Sequence, residues 1–334
     1  MDRKEYRFGV RVLEATVAVC SNRESLLPVL PPPLEVHSLH TDFREVERIP
    51  YYPRADGKIR LVEAPRMPPL CRISGTRAFW EGPLLSLSRR ASDPRFSLWG
   101  NLGFLYRFIL FLLEREHRIY SLHACALYES GRHRLFVISG GAGSGKTVYL
   151  LSGLERGLAL FSTETVHFRH EGRSIRWFMG SLADNVRLGT LRRHFPCFLP
   201  AAAGGPREDD WTRKMAIDLS SHRSVEDSLL DPAVVLLFPR IEEGFGTFSL
   251  RPLLDDRLVT QSLFSNITEK LSQTTVLFDR IPVAGFDSAD LAEARRKACQ
   301  DLARHRTRVF SGGVRSGPRE CWGGLLEGAI PEGR

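Results

Sequence analysis

The sequence predicts an α/β protein: a core of strand, glycine-rich loop and helix, preceded by a smaller β-rich N-terminal domain. Three observations carry this. Leu135-Phe-Val-Ile138 is a short apolar run of the kind that buried parallel strands show. Gly140-Gly-Ala-Gly-Ser-Gly-Lys-Thr147 follows it, and Thr147 to Arg156 then reads as a helix stopped by Gly157. Before residue 98 the chain is rich in strand and turn formers, and its prolines break any long helix.

In chain order, strands are expected at Arg7–Leu13, at Thr16–Cys20, and at Lys58–Val62 after the Ala55-Asp-Gly57 turn. The Leu30-Pro-Pro-Pro-Leu34 run and Pro65, Pro68 and Pro69 separate them. These elements define a domain over 1–98 whose role is not legible in its residues. A second domain is expected over 99–310. It opens with a helix from Asn101 that ends near Glu114-Arg-Glu116, followed by a strand over Ser121–Leu127 and a turn at Ser130-Gly131. After the loop and its helix, strands are expected at Leu158–Ser162, Ala233–Phe238 and Thr275–Phe278. A helix over 287–305 is opened by Asp287 or Ser288 as cap. Ser311-Gly-Gly313, Gly317-Pro318 and Gly323-Gly324 predict an irregular C-terminal tail over 311–334. No internal repeat is evident.

Composition narrows the function classes. The net charge is +8, but the basic residues are spread along the 334-residue chain. No Lys/Arg run with interleaved aromatics marks a nucleic-acid surface, so none is expected. The six cysteines are scattered without a C-x-x-C pair, which argues against zinc and against a disulfide framework. Met1-Asp-Arg-Lys-Glu-Tyr-Arg7 is too charged to lead into a signal peptide. The most apolar stretch, Gly103–Leu113, is too short to span a bilayer and carries Arg107. A cytoplasmic protein without a membrane span is the expectation.

The glycine loop carries the chemistry. Gly, four free positions, then Gly-Lys-Thr is a complete phosphate-binding pattern. Its glycines let backbone N–H groups converge on phosphate oxygens, and a following helix N-terminus adds a positive dipole end. Gly140, Gly141, Ala142, Gly143, Ser144, Gly145, Lys146 and Thr147, with Val148 in the first helical turn, form the expected cradle for a nucleoside triphosphate. Lys146 would bridge the β- and γ-phosphates, and the Thr147 hydroxyl can ligate Mg²⁺.

The block from His123 to about Phe168 resembles the core of the HPr serine kinase family. The likeness runs through Leu122-His-Ala-Cys-Ala-Leu127, the loop Gly140–Thr147, Leu154-Glu-Arg-Gly157 and Leu160-Phe-Ser-Thr-Glu-Thr-Val166. It covers under a seventh of the chain. The resemblance implies an α/β core related to phosphoenolpyruvate carboxykinase that binds ATP and Mg²⁺. Family members transfer the γ-phosphate to a hydroxyl, often a serine, so a small-molecule, peptide or protein acceptor is implied. The family often forms oligomers, which makes a homo-oligomer an option here.

The family's apolar strand usually ends in two aspartates, one a base towards the hydroxyl and one a metal ligand. Thr163-Glu164 stands there in this chain. Glu164 becomes the candidate base or second metal ligand, and Thr163 replaces the other acid; threonine cannot accept a proton as a carboxylate does. His123 is either a core histidine, a phosphate-side donor or a group orienting Glu164. Arg187, in Asn185-Val-Arg-Leu-Gly189, is a candidate for stabilising transferred charge, while Asn185 stands where an acid is expected. Asp279 at a strand end reads as incidental, as do Lys214, Arg240 and the Glu242-Glu243 pair. A kinase is therefore the first reading. A nucleotide-binding regulatory or assembly protein with little turnover is the second, because of Thr163. A P-loop ATPase is weakened by the missing hhhhDE strand end.

Overall fold

The computed structural model describes residues 4–26, 47–84, 98, 103–141, 143–240, 251–253, 255–272, 275–277, 281–283, 286–305, 308–313 and 318–327. The Leu30–Leu34 proline run, Ala142, Glu242, Glu243 and Asp279 lie outside the described residues. The chain is mixed α/β with several sheets. It forms two compact units, Met1–Tyr120 with Glu269–Leu291, and Ser121–Thr268 with Ala292–Arg334.

In the first unit, β1 (Tyr6–Val12) and β2 (Ala15–Ser21) form an antiparallel hairpin turned through Leu13 at φ 50°. With β3 (Glu47–Ile49), β4 (Gly57–Glu63), β5 (Leu70–Ser74) and β6 (Arg77–Gly82) they make a six-stranded sheet in the order β3-β1-β2-β4-β6-β5. β4 runs parallel to both β2 and β6. Helix α1 (Phe104–His117) is apolar nearly all round, as a buried helix must be. It approaches β4 at Gly57, where a Cβ would meet the Phe108 ring at 2.8 Å. Phe286 closes the same apolar layer, with ring centroids 5.7 Å from Phe104 and 5.6 Å from Phe108 and Phe111.

The second unit begins with a break in what the sequence reads as one strand. β7 (Tyr120–Leu122) and β8 (Ala124–Glu129) are separated by a bend at His123 and belong to different sheets. β9 (Arg134–Ser139) pairs antiparallel with β8; the glycine loop and helix α2 (Lys146–Glu155) follow it. β10 (Ala159–Ser162) returns to the outer edge of β8. β11 (Val166–Glu171) and β12 (Ser174–Phe178) form a hairpin in the four-stranded sheet that also holds β7. β13 (Ala183–Arg187), α3 (Leu188–His194) and β14 (Lys214–Asp218) come next, with β13 and β14 pairing as a two-stranded ribbon. β15 (Ser228–Leu230) completes the four-stranded sheet in the order β15-β12-β11-β7. β16 (Ala233–Arg240) then runs parallel to β9, as its unbroken apolar sequence predicts.

After β17 (Arg251–Pro252) come helix α4 (Asp256–Ser272), the hairpin of β18 (Thr275–Leu277) and β19 (Ile281–Val283), and helix α5 (Ala289–Arg304). The expected irregular tail over 311–334 is corrected. β20 (Arg308–Gly313) pairs parallel with β16, giving a six-stranded sheet ordered β10-β8-β9-β16-β20-β17. Pro318–Glu327 then forms helix α6, with proline at its first position, where the missing N–H costs nothing. Trp322 is the physical reason. Its side chain is fully buried, edge-on to Phe136 at 5.0 Å, and its indole N–H donates to Tyr149 O at 2.9 Å. Burial of one large aromatic outweighs the weak local propensity of several glycines. No helix among the described residues is long and apolar enough to cross a membrane.

Candidate functional site

The loop between β9 and α2 takes its shape from its glycines. Gly143 at φ 82° and Gly145 at φ 98° lie in the left-handed region that only glycine enters freely. At Gly140 a Cβ would meet Ser144 Oγ at 2.5 Å, so the Ser144 side chain would have to move to admit one. Lys146 arches back over the loop, and its Nζ donates to Gly140 O at 2.6 Å and Gly141 O at 3.2 Å. Val148, in the first turn of α2, is partly buried and packs against the core. Ala142 lies outside the described residues.

Thr147, in the first turn of α2, reaches a residue that the motif does not contain. Its Oγ1 donates to Asp184 Oδ2 at 3.0 Å, and the other oxygen, Oδ1, accepts from Asn185 N at 2.7 Å. Asp184 is buried. Burial pushes its carboxyl up to about 7, and the negative charge of Glu164 pushes the same way. The Thr147 and Asn185 hydrogen bonds and the charge of Lys214 oppose the rise without cancelling it.

Glu164, past the end of β10, is half-buried, and its Oε2 lies 3.1 Å from His123 Nε2. His123 sits in the bend between β7 and β8, which turns its ring out of both ladders. Of the arrangements open to His123, contact with Glu164 is the one the structure contains. Cys125, two residues on, is fully buried and donates its thiol to Thr163 O at 2.8 Å. Burial holds that thiol well above the ordinary range, and the charges of Asp184 and Glu164 add to it.

Thr163 has a structural task. Its N–H donates to Ser181 O at 2.8 Å, and its hydroxyl lies 3.0 Å from Ser181 O and 2.6 Å from Ala183 O. It stitches the end of β10 to the segment that enters β13, one residue before Asp184. A carboxylate at 163 would face those two carbonyl oxygens. The backbone passes just as closely at Gly180, where a Cβ would overlap Thr165 O.

Arg187 is not gathered with these groups. On a strand alternate side chains share a face, so Asp184 goes with Val186, which is buried in the core, and Arg187 points the other way into solvent. It stands opposite Lys214 across the ribbon. Asp184 was missed in the sequence although a signal for it existed. Val186 marks the inward face of this strand, and the inward partner of Val186 is residue 184, not 185.

The assembled donors are oxygens: the Thr147 hydroxyl, the Asp184 carboxylate and, close enough to shift it, Glu164. Among the described residues no cluster of three or more His, Cys, Asp or Glu could hold a metal by itself. A hydroxyl with one or two carboxylates does fit Mg²⁺ arriving with phosphates, since such Mg²⁺ keeps few protein ligands.

No family model matches the chain, and no curated protein matches it. Among solved structures it is similar to the Hpr(Ser) kinase/phosphatase from Coxiella burnetii, with a TM-score of 0.27 and 11% sequence identity over 63% of this chain and 95% of that one. That similarity is remote.

Proposed function

We propose that this chain is an ATP-dependent phosphotransferase that moves the γ-phosphate of Mg·ATP to a hydroxyl on a small molecule, peptide or protein. The observation that carries the reading is the hydrogen bond from Thr147 to Asp184 beneath the glycine loop. It supplies the second carboxylate that position 163 lacks.

Thr147 and Asp184 would hold Mg²⁺, with Glu164 close by. When bound, Mg²⁺ neutralises charge on the β- and γ-phosphates. Lys146 leaves the loop carbonyls for phosphate oxygens, exchanging neutral acceptors for charged ones. The backbone N–H groups of the loop and the N-terminus of α2 bind the same oxygens. Glu164, held through one oxygen by His123, accepts the proton of the acceptor's hydroxyl as the hydroxyl oxygen attacks the γ-phosphorus and the bond to ADP breaks. A positioned base of this kind contributes about 10²–10⁴-fold, and the larger share of catalysis comes from placement and charge.

A second reading is a nucleotide-binding regulatory protein with little turnover, favoured by the outward-facing Arg187, which leaves one cation fewer near the transferred group. γ-Labelled ATP with Mg²⁺, free serine and pools of serine-containing peptides separates the two. Acceptor-dependent label transfer, lost in Lys146→Ala and Glu164→Gln, supports the kinase. Binding of ATP without transfer to any of these acceptors supports the regulatory protein instead.

A further inference from the structure

His123 is the bend at which the chain leaves one sheet for another, and its own N–H and C=O lie outside both strands. One side chain satisfies both. Asn266 Oδ1 accepts from His123 N at 2.7 Å, and Asn266 Nδ2 donates to His123 O at 3.0 Å. The amide of Asn266 thus imitates a neighbouring strand for a single residue. Buried backbone groups must find such partners, and few side chains can offer a donor and an acceptor together.

Asn266 is well placed to be rigid. Val259, Leu263 and Ile267 of α4 are all buried at a spacing of four, which fixes that face of the helix. Asn266 lies three residues after Leu263, at the border of the same stripe, where an apolar side chain would gain more by burial alone. Its amide instead holds the backbone of His123, whose ring reaches Glu164, 3.1 Å away.

We infer that Asn266 is a positioning residue for the reaction: it fixes the His123 backbone so that the ring orients the Glu164 carboxylate. The inference rests on the kinase reading for its kinetic consequence, but not for its structural one. Asn266 touches no reacting atom and acts only through His123.

The test uses the full chain with ¹⁵N-labelled histidine, the His123 ring signal being assigned by its loss in His123→Gln. Asn266→Ala is expected to shift that signal and to lower kcat by ~10- to 100-fold, the scale of a misplaced catalytic group. KM for Mg·ATP should stay within about twofold, because ground-state binding is untouched. Asn266→Gln keeps both the acceptor for His123 N–H and the donor to its C=O, on a stem one methylene longer. It should fall between wild type and Asn266→Ala, and it serves if the alanine variant does not fold. In a His123→Gln background, Asn266→Ala should add no further loss, since the two residues act as one unit. A wild-type ring signal and kcat in Asn266→Ala would overturn the inference, as would an equal kcat loss in the His123→Gln background. If the wild-type chain transfers no phosphate, the kinase reading fails, and the ring signal alone then decides whether Asn266 positions His123.

Discussion

Thr147 Oγ1 donates to Asp184 Oδ2 at 3.0 Å, joining the first turn of the helix after the glycine loop to a strand 37 residues further along the chain. The carboxyl that receives this bond is buried, beside a second acid, and held up to about 7. A neutral acid suits that place only while nothing positive shares it. On the proposed reading the cation that shares it is Mg²⁺.

The first consequence is a pH-dependent metal affinity. A ligand carboxylate must lose its proton before it binds Mg²⁺, so proton and metal compete at Asp184. The contribution of Mg²⁺ to ATP binding should weaken as pH falls below about 7, by about tenfold per pH unit once the acid form dominates. Titration calorimetry between pH 5.5 and 8.5, corrected for the protonation of ATP itself, reads this. Asp184→Asn should flatten the profile.

Stability should depend on pH through the same group. Its folded pKa lies above its unfolded one, so between about pH 4 and pH 7 the native state binds more protons than the unfolded state. The contribution of Asp184 to stability therefore falls as pH rises through that window. Asp184→Asn removes the buried charge, and the variant should gain on ligand-free wild type from pH 5 to pH 8. Each kcal/mol gained should raise Tm by about 2–4 °C. Scanning calorimetry at both pH values decides, and a constant difference would mean that Asp184 is already solvated.

Thr163 should behave as structure rather than as a lost base. Thr163→Val removes the hydroxyl that faces Ser181 O and Ala183 O, which costs about 1–3 kcal/mol in urea unfolding. Thr163→Asp places a carboxylate against those carbonyls. It should destabilise the fold further and bring no gain in phosphate transfer.

The C-terminal helix should be indispensable. Trp322→Ala empties a fully buried site against Phe136 and Tyr149 and should cost about 3–5 kcal/mol in the same assay. An irregular tail would tolerate the change without effect.

Much of the site's frame was legible in the sequence because it is local. The β9 strand, the glycine loop and α2 lie within about twenty consecutive residues, where apolar runs and glycine spacing speak directly. His123 and Glu164 were legible as candidates through the family resemblance, and their pairing was one of the three roles open to His123. Asp184 was legible only as an inward-facing residue beside Val186; its contact with Thr147 joins elements 37 residues apart, which no local pattern reports. Asn266 lay hidden for the same reason, 143 residues from the backbone it holds. Trp322 was masked by its glycine neighbours, whose local preference says loop while a socket elsewhere in the chain says helix.

The most direct test of the account is ATP affinity measured with Mg²⁺ and with EDTA, in the wild-type chain and in Asp184→Asn. The expected result is at least about tenfold tighter binding with Mg²⁺ in the wild type, and equal affinities under the two conditions in the variant. A variant that keeps the full Mg²⁺ effect would contradict the assignment of Asp184 as the carboxylate that stands in for position 163.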